Sequence, residues 1–201
     1  MMKKEELIKE LGGYQGAQIP LPELKIKYPD EDTPNAMMVL GQEPLSYPFQ
    51  FMPFGTPFIQ YVKFVDEKPL KSNFFHIKEI RAQKERYKDY QFNQFQLMYV
   101  LPLKQVAFMR LHGATLKTFI DLKVSNFNLY EVKGLQRNKK GAITYYTPIV
   151  EFKEKEFVFS LNDDVVAQLK RSLEAWEKYI KEYNGVFDAI GDEDSIYPET
   201  F

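Results

Sequence analysis

The chain comprises 201 residues, of which 44% are hydrophobic, a proportion ordinary for a globular protein with one main domain. It contains no cysteine, which excludes disulfides, a thiolate nucleophile and a cysteine-ligated zinc site, and which is typical of a reducing compartment. The formal net charge is −1, so the chain as a whole is neither a polycation nor a polyanion.

The first 35 residues predict a short helix followed by an irregular arm. Residues 2–11 mix charged and apolar residues and end at Gly12-Gly13, a pair suited to a helix C-cap. Residues 14–35 are rich in proline and predict an extended arm. This beginning lacks the apolar core of a signal peptide, and no apolar run reaches the roughly 20 residues of a membrane span. We therefore expect a cytoplasmic protein that does not contact membranes.

Residues 36–160 predict an antiparallel β domain, because short runs rich in Phe, Tyr, Val and Ile are separated by Gly, Pro and Asn. The predicted strands are 36–40, 48–53, 58–65, 73–80, 95–101, 105–111, 128–133, 142–152 and 156–160. One helix interrupts them, with Leu116, Phe119, Ile120 and Val124 on one face. The fold class is therefore mainly β with few α elements. Its organisation is that of an OB-like antiparallel β-barrel with an inserted helix, and another small barrel of this kind would give the same pattern.

Residues 161–185 predict a long C-terminal helix. Asn162, Asp163 and Asp164 supply an N-cap and first-turn acids, and Gly185 lies where the helix is expected to stop. Apolar residues recur with alternating spacings of three and four, at Val166, Leu169, Leu173, Trp176, Ile180 and Tyr183. This seam either packs on the barrel or pairs with a second copy of the chain, which leaves a homo-oligomer open. Residues 186–201 form an acidic tail.

No motif for catalysis is present, and we expect a protein that is not an enzyme and needs no cofactor or metal. His76 and His112 are not spaced as metal ligands, and phosphate-binding glycine loops and a G-x-S-x-G elbow are missing from the sequence. Acid pairs such as Asp163/Asp164 are explained by helix capping. A metal-dependent nuclease remains the less favoured enzymatic alternative.

Two stretches combine cations with aromatic rings, the mixture that binds single-stranded nucleic acid through phosphate contacts and base stacking. The first covers residues 60–90, where strand alternation would place Phe74, His76 and Lys78 on a binding face and Phe75 and Ile77 in the core. Residues 81–90 have no apolar run and predict a mobile basic loop. The candidates in this stretch are Tyr61, Lys63, Lys71, Phe74, His76, Lys78, Arg81, Lys84, Arg86 and Tyr87.

The second stretch is a predicted hairpin tip at 137–141 and the strand that follows it. Its candidates are Arg137, Lys139, Lys140, Tyr145 and Tyr146. In an OB-type barrel, strand faces and connecting loops form the oligonucleotide groove. The prediction of nucleic-acid binding requires that the two stretches line a common trough.

Charge is distributed unevenly along the chain. Residues 60–140 carry 16 basic and 7 acidic residues, a net charge of +9, whereas residues 186–201 carry 5 acidic residues and no basic one. The middle of the chain therefore attracts polyanions, and the tail can compete for the same surface or bind a basic partner.

The ending "DAIGDEDSIYPETF" resembles the acidic C-terminal tail, ending in Phe, of bacterial and tailed-phage OB-fold single-stranded DNA-binding proteins. In that family the tail tip binds replication and repair enzymes. The resemblance implies a partner-binding role for Asp192, Glu193, Asp194, Ile196, Pro198 and Phe201. The stretches "VLPLKQVAFMRLHGATLKTFI" and "GAITYYTPIVEF" are similar to OB-type proteins of phage replication and recombination modules. The chain differs from the bacterial proteins in lacking their Gly/Pro/Gln-rich linker and their Ile-Pro-Phe ending.

These observations predict a sequence-tolerant single-stranded DNA-binding protein of a phage-like replication or recombination module, located in the host cytoplasm if phage-encoded. Its tail would dock partner enzymes and compete with DNA. The alternative is a protein-interaction accessory factor, such as a recombination directionality-type factor, that does not bind single-stranded DNA. The helical seam at 166–183 and the arm at 14–35 favour this alternative.

Overall fold

The computed structural model describes residues 19–65 and 67–190, apart from the side chains of residues 68 and 186–190. The predicted N-terminal helix at 2–11 lies outside the described residues. The described part of the arm is more regular than predicted, because residues Leu24–Lys27 form a strand.

Ten strands and three helices make up the described chain. The strands are β1 Leu24–Lys27, β2 Met37–Leu40, β3 Glu43–Pro44, β4 Phe49–Val65, β5 Lys68–Lys71, β6 Phe75–His76, β7 Gln91–Val100, β8 Gln105–Leu111, β9 Leu129–Lys140 and β10 Ile143–Glu154. The helices are α1 Ile80–Gln83, α2 Gly113–Asp121 and α3 Asp163–Ile190, with 3-10 turns at Ile77–Glu79 and Phe157–Ser160.

The strands form two antiparallel sheets. The main sheet has the order β10-β9-β4-β7-β8, with β5 and β6 also paired to β4, and the small sheet has the order β1-β2-β3. The prediction of a mainly β, antiparallel fold with a long C-terminal helix is confirmed. Closure into a barrel is not seen in the part of the chain that the structure describes, because β10 and β8 end the main sheet without pairing to each other.

Strand β4 organises the main sheet and joins two strands that the sequence predicted separately. Its pairing with β7 is interrupted between Phe54 and Phe58 by a bulge, at which Gly55 has a φ of +70°. The carbonyl oxygens at the bulge are satisfied by amide side chains: Gln96 Nε2 donates to Phe54 O at 2.7 Å, and Asn126 Nδ2 donates to Gly55 O at 2.6 Å. The bulge therefore bends the strand without leaving buried carbonyls unpaired.

Both faces of the β4–β7 pair are buried. Alternate residues such as Phe51 and Met98 point to a first core, which is covered by the small sheet and by Phe119 of α2. The residues between them, such as Met52 and Leu97, point to a second core, which α3 covers. The alternation of strand side chains thus places the main sheet between two layers.

One predicted strand, 73–80, is reduced to two residues, and another, 156–160, is not a strand. Within 73–80 only Phe75–His76 pairs with β4, because Glu79 Oε1 accepts a hydrogen bond of 3.0 Å from His76 N and a 3-10 turn begins there. The predicted mobile loop at 81–90 instead begins within α1 and continues as turns held by backbone hydrogen bonds, including Tyr90 N to Tyr87 O at 3.0 Å. Residues 157–160 form a 3-10 turn instead of a strand.

Helix α3 uses its apolar seam within the chain. Asn162 Oδ1 caps it by accepting from Val165 N at 3.0 Å. The ring of Trp176 is 1% exposed and stacks on Phe108 with a centroid distance of 5.2 Å. Leu169, Ile180 and Tyr183 pack against the same core. Of the two alternatives left open by the sequence, packing on the sheet is the one observed.

Replacement of Trp176 by Ala should lower the free energy of unfolding by about 3–5 kcal/mol, because a buried aromatic side chain is lost. Trp176→Phe should cost less, since the indole Nε1 is buried without a hydrogen-bond partner among the described residues, and a smaller ring loses no bond there. Chemical denaturation followed by far-UV circular dichroism measures both. Equal stability of Trp176→Ala and the parent would contradict this packing.

Candidate functional site

Three of the rings predicted to stack on bases are core residues. Tyr61, Phe74 and Tyr87 are 5%, 6% and 8% exposed. Tyr61 and Tyr87 stack on each other with centroids 4.8 Å apart and planes 11° from parallel, and burial raises the pKa of both phenols. Tyr61 and Tyr87 hold the 77–92 segment against β4, whereas Phe74 packs under α3. All three are buried and present no open face to a base.

The sequence predicted Phe74 and His76 on the binding face and Phe75 in the core. For Phe74 this prediction is wrong, because its side chain is buried. Asn184 of α3 brackets this residue, accepting from Phe74 N and donating to Phe74 O, both at 2.8 Å. The Phe74 ring packs edge-on against Tyr183 at 5.0 Å. These contacts with the C-terminal part of α3 hold Phe74 in the second core. Phe75 is half-buried and contacts Tyr61. His76 is also half-buried, with its ring edge-on to Phe58 at 5.6 Å.

The predicted cations of the first stretch are mostly accessible. Four of them lie exposed on the segment that follows β6, namely Lys78, Arg81, Lys84 and Arg86. Arg86 lies over the Tyr87 ring, with Cζ 5.5 Å from its centroid, and Lys63 Nζ lies 5.8 Å from the Tyr90 centroid. Lys63 is exposed, and Lys71 is half-buried on β5. These side chains give the C-terminal half of β4 a basic border.

The second stretch forms the predicted hairpin. Arg137, Lys139 and Lys140 are exposed, and Tyr145 and Tyr146 are half-buried. Tyr146 pairs with Arg137 in the register of β9 and β10, and its ring packs edge-on against Tyr28 at 5.6 Å.

The hairpin and the first stretch lie at opposite ends of β4. Strand β9 pairs with β4 only through Phe49–Phe51, at the start of β4. Because the two strands are antiparallel, the β9–β10 hairpin extends beyond the start of β4, whereas residues 58–65 lie toward the end of β4. At about 3.3 Å per residue, Arg137 and Val62 are separated by roughly 50 Å measured along the strands. The expected common trough is therefore not observed between them, and the candidate surface narrows to the far end of β4.

A cavity of about 250 Å³ opens at this end of the sheet, on the face that α3 covers further along. Four neighbouring strands contribute its described lining, which consists of Val62, Phe64, Pro69, Lys71, Gln91, Asn93, Arg110 and the adjoining His112. The Phe64 ring is 63% exposed, so it combines an accessible aromatic surface with a wall of polar and cationic groups. Among the described aromatic residues of 60–90, Phe64 alone is both exposed and part of the cavity lining.

Polar groups in the cavity are arranged around Asn93 and His112. Asn93 is 4% exposed and lines the cavity. Gln91 Nε2 and His112 Nδ1 lie 3.2 Å apart. Arg110 is paired with Glu23, with Nη2 3.3 Å from Oε1. Burial, with the neighbouring Arg110 second, lowers the pKa of His112, so the imidazole is neutral at pH 7.

Sequence reasoning identified Lys71 in this cavity and missed Phe64, Asn93, Arg110 and His112. No sequence pattern selects His112, because its spacing from His76 is not that of metal ligands and its cavity partners, Gln91 and Arg110, lie on two different strands. The sequence did carry a signal for Phe64. It follows Lys63 directly on a strand, and successive side chains of a strand point to opposite faces, so one of the two faces away from the other. The bulge at Gly55 and the pairing of β7 with β8 decide which side is open, and neither is visible in the sequence.

Two further lysines of the main sheet are committed to ion pairs. Glu131 contacts Lys133, and its Oε1 lies 2.9 Å from Lys153 Nζ. Hydrogen bonds from Lys133 and then Lys153 lower the pKa of Glu131 to about 2. Glu151 supplies the second negative charge, with Oε2 3.5 Å from Lys133 Nζ and 3.4 Å from Lys153 Nζ. The two lysines and two glutamates together are neutral, so they do not add to the basic surface.

Comparisons with protein families, curated proteins and solved structures found no match to this chain. Within residues 19–65 and 67–190, no helix has the length and apolarity to cross a membrane, and no group of three or more His, Asp or Glu side chains is placed to hold a metal ion. The six predicted partner-binding residues of the tail lie outside the described residues.

His112 should titrate below its ordinary value of 6.5 in an NMR pH titration, with the other histidine assigned through His76→Gln. Arg110→Gln should raise the His112 pKa by removing a nearby cation, and Arg137→Gln, at the remote hairpin, should leave it unchanged. Because the folded pKa is lowered, the associated stability is present above pH 6.5 and is lost as the pH falls through the folded value. A His112 pKa at or above 6.5 would show that the cavity wall is not as described.

Proposed function

We propose that the protein binds single-stranded DNA without strong sequence preference, through the end of the main sheet formed by β4, β5, β7 and β8. The observation that carries the proposal is the exposed Phe64 ring beside the cationic wall of the cavity. Stacking of a base on an aromatic ring contributes about 1–3 kcal/mol and tolerates every base, because each has a π face. Cations that border the ring on both sides of β4 would follow the phosphates.

The cations lie on both faces of this sheet end. Lys63 lies beside Tyr90, and Arg86 lies over Tyr87, on the face covered by residues 77–92. Lys71 and Arg110 line the cavity on the opposite face. A single DNA strand that crosses the end of β4 would pass Lys63 and Arg86 on one face and Lys71 and Arg110 on the other. Phe64 would lie between these two groups of cations. The remote hairpin at 137–140 is left as a secondary electrostatic contact.

An OB-like fold and a role in a phage-like replication or recombination module remain part of this proposal. Its support is the order of elements, with a seven-stranded antiparallel sheet, five of whose strands follow one another in the order β10-β9-β4-β7-β8, and helix α2 inserted between β8 and β9. The Phe119 ring of α2 stacks on Phe51 in the first core, 5.9 Å from centroid to centroid, as expected of a helix that closes one end of such a sheet. The resemblance of the C-terminal tail to the single-stranded DNA-binding family adds to this support.

Phe64→Ala should weaken binding of a fluorescent oligo-dT by roughly 5- to 150-fold, the loss expected for one stacked base. Phe159→Ala is the matched control, because Phe159 is an 84% exposed phenylalanine outside this surface. Affinity should also fall with salt, at a slope of about −0.7 per phosphate neutralised. Anisotropy titrations measure both effects. Absence of binding at micromolar protein would refute the proposal, and cleavage of the DNA with Mg²⁺ or Mn²⁺ would indicate the nuclease instead.

The alternative, a protein-interaction accessory factor, is favoured by one structural observation. Strand β10 is an edge of the main sheet and exposes Ile149 and Phe152, and the turn after it exposes Phe159. An edge strand with apolar side chains can pair with a strand of another protein. The helical seam no longer supports this alternative, because α3 packs on its own chain.

The acidic tail should compete with DNA for the proposed surface. Tyr183 of α3 lies beside the far half of β4, where its hydroxyl accepts from Gln60 Nε2 at 3.1 Å, and Gln60 pairs with Asn93 of the cavity wall. The tail therefore follows, in the sequence, a helix that contacts the far half of β4 through Tyr183. Deleting residues 191–201 should tighten oligo-dT binding, most at low salt, because repulsion between the tail and phosphate is lost.

Two matched variants separate charge from docking in this experiment. Neutralising the tail with Asp192→Asn, Glu193→Gln and Asp194→Asn should reproduce the effect of the deletion, whereas Phe201→Ala should leave DNA affinity unchanged and weaken only partner capture. Unchanged affinity after the deletion would refute the competition.

A further inference from the structure

The β9–β10 hairpin carries a second basic surface, far from the end of β4 proposed to bind a single strand. Beyond Val132, strand β9 pairs only with β10, so residues 133–149 form a two-stranded ribbon that extends past the start of β4. At about 3.3 Å per residue, residues 133–140 give this ribbon a length of roughly 25 Å. We propose that the ribbon binds double-stranded DNA by lying in its major groove, an activity that does not rest on the proposed function.

The ribbon is positively charged, and its cations are not committed to acidic partners. Residues 132–150 contain no acidic residue. Arg137, Lys139 and Lys140 are exposed, and none of them forms an ion pair with another of the described residues. Lys133, at the base of the ribbon, is by contrast paired with glutamates of the sheet. The three outer cations attract a polyanion, because each contact with a phosphate releases counterions.

These cations lie on both faces of the ribbon. Because the side chains of a strand alternate, Arg137 and Lys139 lie on one face and Lys140 lies on the other. The major groove of B-form DNA is about 12 Å wide and admits a two-stranded β-ribbon. Since a phosphate backbone borders this groove on each side, a ribbon with cations on both faces can contact both backbones.

The aromatic residues of the ribbon favour a duplex over a single strand. Tyr145 and Tyr146 are half-buried, and the Tyr146 ring packs against Tyr28. A single strand is bound by stacking of its bases on open aromatic faces, and no ring of residues 133–149 is exposed. At the tip, Ile143 is 69% exposed and can contact a thymine methyl group, which lies in the major groove.

The acidic residues 30–32 restrict the contact to the outer part of the ribbon. They follow Tyr28, whose ring contacts Tyr146. Lys27 Nζ lies 3.1 Å from Asp30 Oδ2, and none of the three acids is paired with a cation of the ribbon in the described chain. Repulsion between these acids and phosphate keeps DNA away from the ribbon near Tyr28, so residues 137–143 make the contact.

Fluorescence anisotropy with the full chain tests the proposal on a mixed-sequence DNA duplex and on the RNA duplex of the same sequence. DNA affinity should fall roughly 40-fold between about 50 and 200 mM salt, the dependence of three phosphate contacts at about −0.9 each. The RNA duplex should bind more weakly, because its major groove is too deep and narrow for side chains to read. The triple variant Arg137→Gln, Lys139→Gln, Lys140→Gln should lose most of the salt dependence.

Two further variants control for charge and for folding. Lys170→Gln, Arg171→Gln and Lys181→Gln together remove the same charge from exposed positions of α3, and this variant should bind the DNA duplex like the parent. Gln136→Lys adds a cation at an exposed position of the ribbon. It should tighten DNA binding and steepen the salt slope by about 0.9, a gain that a misfolded variant would not show.

The outcomes separate this proposal from the single-strand surface. Absence of duplex binding, equal affinity for the RNA duplex, or an equal loss in the α3 control would overturn the ribbon proposal. Binding to anionic lipid vesicles without binding to the duplex would also overturn it. Phe64→Ala should leave duplex affinity unchanged while it weakens binding of an oligo-dT too short to reach the ribbon. Loss of oligo-dT binding alone therefore overturns only the proposed function, and loss of duplex binding alone overturns only the ribbon.

Discussion

The pairing of β4 with β7 is the constraint on which the rest of the structure depends. It joins Phe51–Phe54 to Leu97–Val100 and, beyond a bulge at Gly55, joins Phe58–Val62 to Gln91–Phe95. Its alternating side chains feed two cores, so a single strand pair fixes the positions of the small sheet on one face and of α3 on the other. The far end of this pair extends past both covering layers, which is where the cavity opens.

Burial and binding draw on the same residue types in this chain. Aromatic residues make up 15% of the chain. Within residues 60–90, most aromatic rings pack the 77–92 segment or helix α3 against β4. The stacked pair of Tyr61 and Tyr87 shows this use. Phe64 remains 63% exposed because it lies beyond the last residue of β4 that pairs with β7.

The effect of each basic residue depends on which charged groups lie near it in the fold. Lys133 and Lys153 are neutralised by Glu131 and Glu151 within the sheet, while the cations at the far end of β4 face solvent or the cavity. The hairpin cations lie at the other end of the molecule along the strands. Because screening limits such interactions to about 10 Å at ordinary salt, the two basic regions act as separate surfaces.

The sequence by itself determined the mainly β fold class, most strands of the main sheet, helix α2 and the helix α3 that begins at Asp163. Each of these carries a local signal: alternation in strands, a 3.6-residue period in helices, and capping residues at helix starts. It also determined that cations are concentrated between residues 60 and 140, because composition needs no fold.

Only the tertiary structure decided which rings are free. Phe74 is buried because Asn184, 110 residues away, binds its backbone, and the Asn93–His112 cavity exists because β7 pairs with both β4 and β8. The separation of the hairpin from the first basic stretch follows from the short register of β9 on β4. Long-range pairing of this kind has no signature in local residue patterns, since it depends on contacts between segments distant in the chain.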